Sequence, residues 1–265
     1  VVIGAQRHSS NLGTARVYDW NSGTSQWTQL GPDIDGENAN DVFAYVVSMS
    51  SDGTRVAIGT PYNDDGGTNA GHVRVYDWNS GTSLWDKVGS DIDGEAAGDY
   101  SGWSISLSGD GSRLAIGAYK NKGVTGTRTQ AGHTRVFVWS SGSWSQVGSD
   151  IDGPGNAYDS SGWSVSLSSD GTRLAVGSTL HDSNGYNNGL VRVYSESSGN
   201  WNQIGLDLAG EDAQDQFGSS VSLSSDGTRV AVGAIYNKPL GVNPRGAAYV
   251  YSESGGSWTQ MGSDI

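Results

Sequence analysis

A repeat of about 57 residues is the feature that most limits what this chain can become. Trp27, Trp85, Trp144, Trp201 and Trp258 recur at intervals of 58, 59, 57 and 57 residues, and Gly4, Gly59, Gly117, Gly177 and Gly233 follow the same beat. Five copies are visible, the first truncated. A period of this size means that one supersecondary unit is built again and again, and that neighbouring units bury the faces that none can bury alone.

Each copy reads as four short strands. The first is "SVSLS" at 164–168, with versions at 104–108 and 220–224, alternating small polar with branched apolar residues at a period of two. A tight hairpin follows at Asp52-Gly53, Asp110-Gly111, Asp170-Gly171 and Asp226-Gly227, where glycine accepts the positive φ of the turn. The second strand is "RVAIGT" and its relatives, the third "VRVYDW" or "TRVFVW", and the fourth centres on "WxQxG", with "WDKVG" at 85–89. No segment carries an i, i+3, i+4 apolar pattern long enough for a helix. The expected fold is therefore all-β, a β-propeller of four-stranded antiparallel blades forming a single domain over 1–265, with repeats at about 1–36, 37–94, 95–153, 154–210 and 211–265. Strand one would line the central channel and strand four the rim, which places the recurrent Trp between blades and the small Ser of strand one at the crowded centre. Five copies imply either a five-bladed ring lacking one strand or part of a larger ring. The opening "VVIGA", inside a strand and without an initiator Met, reads as a piece of a longer protein.

Charge and composition narrow the function classes. With 28 acidic against 15 basic residues the net charge is −13, which repels nucleic acid and anionic membranes and suits cations or a basic partner. The absence of cysteine removes disulfides, thiolate metal sites and a Cys nucleophile. No apolar run approaches the roughly 18 residues of a membrane span, so direct membrane insertion is not expected.

Asp215-Gln216-Phe217-Gly218-Ser219-Ser220-Val221, followed by Val232-Gly233-Ala234 and by the "VRVY" of strand three, resembles the FG-GAP repeats of integrin-α-like β-propellers. The resemblance covers the whole chain and draws its specificity from recurrence. The copies depart from the motif at Phe43-Ala44, Gly102-Trp103 and Gly162-Trp163, and Gly-Ala-Pro survives only as Gly59-Thr60-Pro61. The resemblance implies an extracellular or cell-surface location and a role in adhesion. It also implies calcium in a D-x-D-x-D-G run between strands one and two, a run this chain does not have. Its corresponding loops, "SSDGTR" and "GDGSR", offer one carboxylate beside Arg55, Arg113, Arg173 or Arg229, which suits a local ion pair better than a cation.

Carboxylates are denser in the connectors between strand four and the next strand one, such as "DIDGEAAGDYSGWS" from Asp91. Four copies share the leading Asp (Asp33, Asp91, Asp150, Asp207), an apolar residue, a Gly, and the Asp before strand one (Asp41, Asp99, Asp159, Asp215), whereas the middle Asp becomes Ala209 and the Glu becomes Pro154. A turn needs the apolar plug, the Gly and one side chain to satisfy backbone N–H groups, so the recurring residues read as scaffold. No cofactor is required. Calcium is the cation that the intact copies could hold, through Asp33, Asp35, Glu37 and Asp41 or through Asp91, Asp93, Glu95 and Asp99.

The loops between strands two and three vary most and share a face with the connectors, so specificity is expected there. The residues they offer to a partner are Asn63, Asp64, Asp65, Lys120, Asn121, Lys122, Asp182, Tyr186, Lys238 and Arg245. His8, His72, His133 and His181 are scattered, and no metalloprotease, nucleophile-elbow or phosphate-loop motif occurs. An enzyme is not expected, and a propeller glycosidase would need a cluster of carboxylates with raised pKa at the channel mouth. The sequence thus points to an extracellular or cell-surface binding or structural module that acts in adhesion or extracellular assembly through loops on one propeller face, as part of a larger chain or assembly, with a protein or glycan partner. The alternative is a lectin-like propeller whose aromatic residues stack on sugars.

Overall fold

The computed structural model describes residues 1–8, 12–123, 129–155, 157–237 and 246–265, and among them there is no helix. Five antiparallel sheets follow one another along the chain. Blade 1 comprises β1 (Val2–Ala5), β2 (Thr14–Asn21), β3 (Gln26–Gln29) and β4 (Ile34–Asp35). Blade 2 comprises β5 (Val46–Met49), β6 (Arg55–Thr60), β7 (His72–Asn79), β8 (Leu84–Lys87) and β9 (Ile92–Asp93). Blade 3 comprises β10 (Ser104–Leu107), β11 (Arg113–Ala118), β12 (His133–Ser140), β13 (Ser143–Gln146) and β14 (Ile151–Asp152). Blade 4 comprises β15 (Ser161–Leu167), β16 (Arg173–Ser178), β17 (Leu190–Ser197), β18 (Asn200–Gln203) and β19 (Leu208–Ala209). Blade 5 comprises β20 (Phe217–Leu223), β21 (Arg229–Ala234), β22 (Ala247–Ser254) and β23 (Ser257–Gln260). Register places Gly4 of β1 opposite Ala15 as Gly59 of β6 lies opposite Val73, so blade 1 starts at its second strand.

The blades stack face to face through their inner strands, β1 on β5, β5 on β10, β10 on β15 and β15 on β20. This is the β-propeller arrangement, and each second strand is buried on both sides. Val56 and Ile58 pack towards blade 1, while Ala57 packs towards blade 3. Four apolar clusters fill the four junctions between consecutive blades. Among the described residues no such cluster joins blade 5 to blade 1.

Small residues at the centre are explained by backbone crossing side-chain space. A Cβ on Gly59, Gly117 or Gly177 would overlap the carbonyl oxygen of Gly102, Gly162 or Gly218 in the next blade. The Ser side chains of strand one tie blades together, with Leu107, Leu167 and Leu223 N–H groups donating to Ser48, Ser106 and Ser166 Oγ at 3.0, 2.9 and 2.9 Å. At the rim, the indole N–H groups of Trp85, Trp144, Trp201 and Trp258 donate to Leu30, Val88, Val147 and Ile204 carbonyls of the preceding blade at 2.9, 3.3, 3.1 and 3.0 Å.

The hairpin arginines correct one expectation. Asp52 spends its carboxylate on Ser50 Oγ and on the Thr54 N–H and hydroxyl rather than on Arg55. Arg55 instead forks onto Asp77 of its own blade and lies over Trp139 and Trp144 of the next. Where the next blade carries Glu at the position of Trp139, the guanidinium becomes an ion pair, Arg113 with Glu196 and Arg173 with Glu253. The hairpin Asp is too short to turn back onto an Arg whose side chain follows the strand towards the neighbouring blade.

Candidate functional site

The connectors and the loops between strands two and three gather at one end of the blades, and a buried clamp fixes them. Asn63 Nδ2 donates to Asp41 at 2.9 Å, Asn121 to Asp99 at 3.0 Å and Asn237 to Asp215 at 3.3 Å, while His181 Nδ1 meets Asp159 at 2.9 Å. The residue after each clamped Asp is left-handed without being glycine: Val42, Tyr100, Ser160 and Gln216 have φ of 57°, 57°, 55° and 51°. Such a conformation costs about 1–3 kcal/mol for a bulky residue and persists only where the surroundings enforce it. The connector then runs as a two-residue strand along its own blade, where Ile34, Ile92, Ile151 and Leu208 are buried. Its glycine is forced, because a Cβ on Gly94 would overlap the Ala70 carbonyl oxygen. The recurring connector residues are thus scaffold, as their repetition suggests.

This geometry disperses the carboxylates proposed for calcium. Asp33 takes a bidentate ion pair from Arg16, which with Gln29 holds its carboxyl down to about 2, while Asp35 accepts from the Thr14 hydroxyl at 2.8 Å. Glu37 pairs with Arg74 of the next blade, and Asp41 and Asp99 are held in their clamps. Burial raises the Asp91 carboxyl, but hydrogen bonds from Arg74 and Lys87 outweigh it and hold it below the usual carboxylate range. Asp93 is exposed, and Arg135 donates to its backbone carbonyl rather than to its carboxylate. Among the described residues no set of three carboxylates from one connector converges. The hairpin loops do not fit calcium either, since each brings one carboxylate already committed to hydroxyl and N–H donors.

The loop residues separate into scaffold and surface. Asn63 and Asn121 are buried in their clamps. Asp64 caps its own loop, accepting from the Asn69 N–H at 2.7 Å, and Asp182 does the same for Asn187 at 2.6 Å. Asp65 and Lys122 are exposed, and Tyr186 is 65% exposed. Lys238 and Arg245 lie outside the described residues.

Sequence reading missed an aromatic cluster at the inner edge of this same end. Tyr45 and Tyr62 of blade 2, Tyr100, Trp103 and Tyr119 of blade 3, and Trp163 of blade 4 form a continuous set of ring contacts. Centroid separations include 4.6 Å for Tyr45–Trp103, 5.2 Å for Tyr62–Tyr100, 4.5 Å for Trp103–Tyr119 and 5.1 Å for Trp103–Trp163. Lys120 Nζ sits 4.3 Å from the Tyr100 ring centroid. The rings are half-buried apart from Tyr119, which is 9% exposed, and burial with neighbouring tyrosines pushes the Tyr45 and Tyr119 hydroxyls up to about 12. Trp103 and Trp163 occupy the position after the motif glycine, so the departure from Phe-Gly was the available signal. Blades 4 and 5 end the cluster, with Thr179 and Leu180 at the positions of Tyr119 and Lys120, and Ser219 at that of Trp163.

Three open clefts of about 430, 430 and 610 Å³ repeat at the rim, between the connector start and the next blade's Trp144, Trp201 or Trp258. Carboxyl groups raised by burial do occur, at Glu95, Asp99 and Asp152. Glu95 and Asp152 lie by the start of β12, and Asp99 is held in its clamp with Asn121.

A family model described as FG-GAP repeat matches residues 34–76, 92–137, 144–194 and 209–251. No curated protein matches the chain. Among solved structures, one from Bacteroides uniformis described as "a putative 6-phosphogluconolactonase" is similar with a TM-score of 0.52 at 12% identity, over 98% of this chain and 81% of that one.

Proposed function

The chain belongs to the FG-GAP repeat family, and on that footing we propose that it is a non-enzymatic binding module of the cell surface or extracellular space, engaging a protein or glycan through the connector end of its blades. The observation that carries this reading is the aromatic cluster with Lys120. Rings from three consecutive blades, fixed by packing and by the clamped connectors beneath them, offer contact area at little cost in side-chain entropy. Tyr and Trp dominate interface energetics for this reason. At 12% identity the Bacteroides structure speaks for the fold and brings no activity with it.

A glycan partner is the second reading, favoured by the placement of Lys120 Nζ over the Tyr100 face. Ring faces beside an ammonium group suit a sugar that carries an acidic substituent. The test is binding of the protein to a glycan array and to a panel of purified extracellular-matrix proteins, repeated with Tyr100→Ala and Lys120→Ala. Loss of a bound ligand in both variants, with circular dichroism unchanged, supports this face. Binding that survives both overturns it, and the class of ligand decides between protein and glycan. The FG-GAP family supports a role in adhesion, which is tested by coating beads with the protein and measuring their attachment to cells.

A further inference from the structure

We propose that Glu95, His133 and Asp150 form a site for one divalent transition metal of the zinc class, tying together the two connectors that flank blade 3. One ligand atom from each of the three residues lies within 4.8 Å of the others. His133 begins β12 and is 2% exposed, and its Nδ1 lies 3.8 Å from Glu95 Oε2 and 3.7 Å from Asp150 Oδ2. These separations are too long for hydrogen bonds. The Nδ1 of a buried histidine thus lies near two carboxylate oxygens without bonding to either. The two His133 separations are close to the spacing of about 3.4 Å between donors around a tetrahedral zinc with bonds of about 2.0–2.1 Å, and the Glu95 and Asp150 oxygens lie within 4.8 Å of each other, so a bound metal would draw the two carboxylates together.

Blade 3 differs from its neighbours in the charge around this position. Arg16, Arg74 and Arg192 each fork onto the leading connector Asp of their own blade, namely Asp33, Asp91 and Asp207. Arg135 does not follow them. Its Nη2 donates to the Asp93 carbonyl at 2.6 Å and its Nη1 lies 3.7 Å from Glu95 Oε1. Among the described residues Asp150 is left with one neutral donor, Gln146 Nε2 at 2.8 Å. Among the described residues the negative charge of Glu95, Asp150 and nearby Asp152 faces the one guanidinium of Arg135, and a dication would add to it.

The preceding blade provides the internal comparison. His72 holds the same repeat position, 2% exposed, and its Nδ1 is buried without a hydrogen-bond partner beside Asp65 and Asp91. There Arg74 and Lys87 already occupy both oxygens of Asp91, so a metal would have to displace two cations. In blades 1, 4 and 5 the position is Thr14, Leu190 or Ala247, which offer no imidazole. One imidazole with two carboxylates selects zinc, cobalt or manganese over calcium, whose ligands are all oxygen. Three protein ligands leave a fourth position to water.

The experiment is calorimetric titration of chelator-treated protein with Zn²⁺, Mn²⁺ and Ca²⁺ separately, with Co²⁺ absorption as a reporter of tetrahedral geometry. One Zn²⁺ per chain is expected, with affinity lowered more than about 100-fold in His133→Asn and in Asp150→Asn and unchanged in His72→Asn. Asp150 sits in a partly exposed connector, so its variant keeps the test alive if His133→Asn does not fold. The proposal is overturned if zinc binds neither protein nor variants, if His72→Asn abolishes binding while Asp150→Asn preserves it, or if only Ca²⁺ binds.

Discussion

Trp85 and Trp27 occupy the same position of the repeat, yet Trp85 is 8% exposed and Trp27 54%. The first lies between blades 1 and 2 with its indole donating across the junction, and no blade of this structure packs over the second. Blade 5 shows the converse on its other face. Ala57, Ala115 and Ala175 are fully buried by the following blade, whereas the equivalent Ala231 is exposed. One sequence pattern therefore has two energetic meanings, decided by whether a neighbouring sheet is present. Interior blades owe their order to stacking, while the hairpin and connector turns owe theirs to hydrogen bonds made within a few residues.

The largest contrast is expected at the central glycines. Gly177→Ala drives a Cβ into the Gly218 carbonyl of the next blade and should cost more than about 4 kcal/mol or abolish cooperative unfolding. Gly233→Ala meets no backbone atom and crowds only the movable, exposed Ser220 side chain, with Ser219 at ordinary contact, and should cost under about 1 kcal/mol in denaturant titration. Equal effects would break the distinction between interior and terminal blades.

Next in size, Trp85→Ala should lose about 3–5 kcal/mol and Trp27→Ala less than about 1 kcal/mol, measured the same way. The clamps come third. Asn63→Ala leaves the buried Asp41 carboxylate without its cross-loop donor and should cost about 1–3 kcal/mol. Asn237→Ala, whose bond to Asp215 is longer at 3.3 Å, should cost less.

The smallest effect sharpens the comparison by ignoring it. Asp226 belongs to the terminal blade, yet hydrogen bonds from Ser224 and Thr228 hold its carboxyl down to about 2, and Asp52, Asp110 and Asp170 in the interior blades are lowered by equivalent Ser, Thr and backbone donors. Because the folded value lies below the unfolded one, this stabilisation is complete above the ordinary Asp range and is lost as pH falls from about 4 towards 2. Carboxyl NMR titration should show it, and Ser224→Ala should move the Asp226 midpoint upwards.

Much of the fold was legible because local periodicity and turn chemistry agree. Alternation in "SVSLS", the Asp-Gly hairpins and the recurrent Trp each announce a strand, a turn or a junction. The connector was legible too, since comparing its four copies separates Ile92, Gly94 and Asp99 from dispensable neighbours. The partners of the hairpin arginines were not, because Asp77 lies 22 residues away and Glu196 and Glu253 belong to the next blade. Nor was the aromatic cluster, whose members come from positions that are unremarkable within any one repeat: Tyr62 follows a second strand, and Trp103 precedes a first one. Asn63 and Asn121 looked like loop surface and are buried, because an Asp on the adjoining connector needs their amide donors.

By itself, the sequence determined that this chain makes antiparallel four-stranded units with the same turns, the same junction residues and a strongly acidic surface. Those features depend on interactions within a few residues or on a pattern that repeats. Only the tertiary structure decided which copies of a residue are covered, which carboxylates are neutralised by an arginine and which are left facing His133. It also decided that rings from three blades meet at one edge. Charge pairing and burial depend on distances between residues some 20 to 80 positions apart in the chain, and those distances exist only after the blades have stacked.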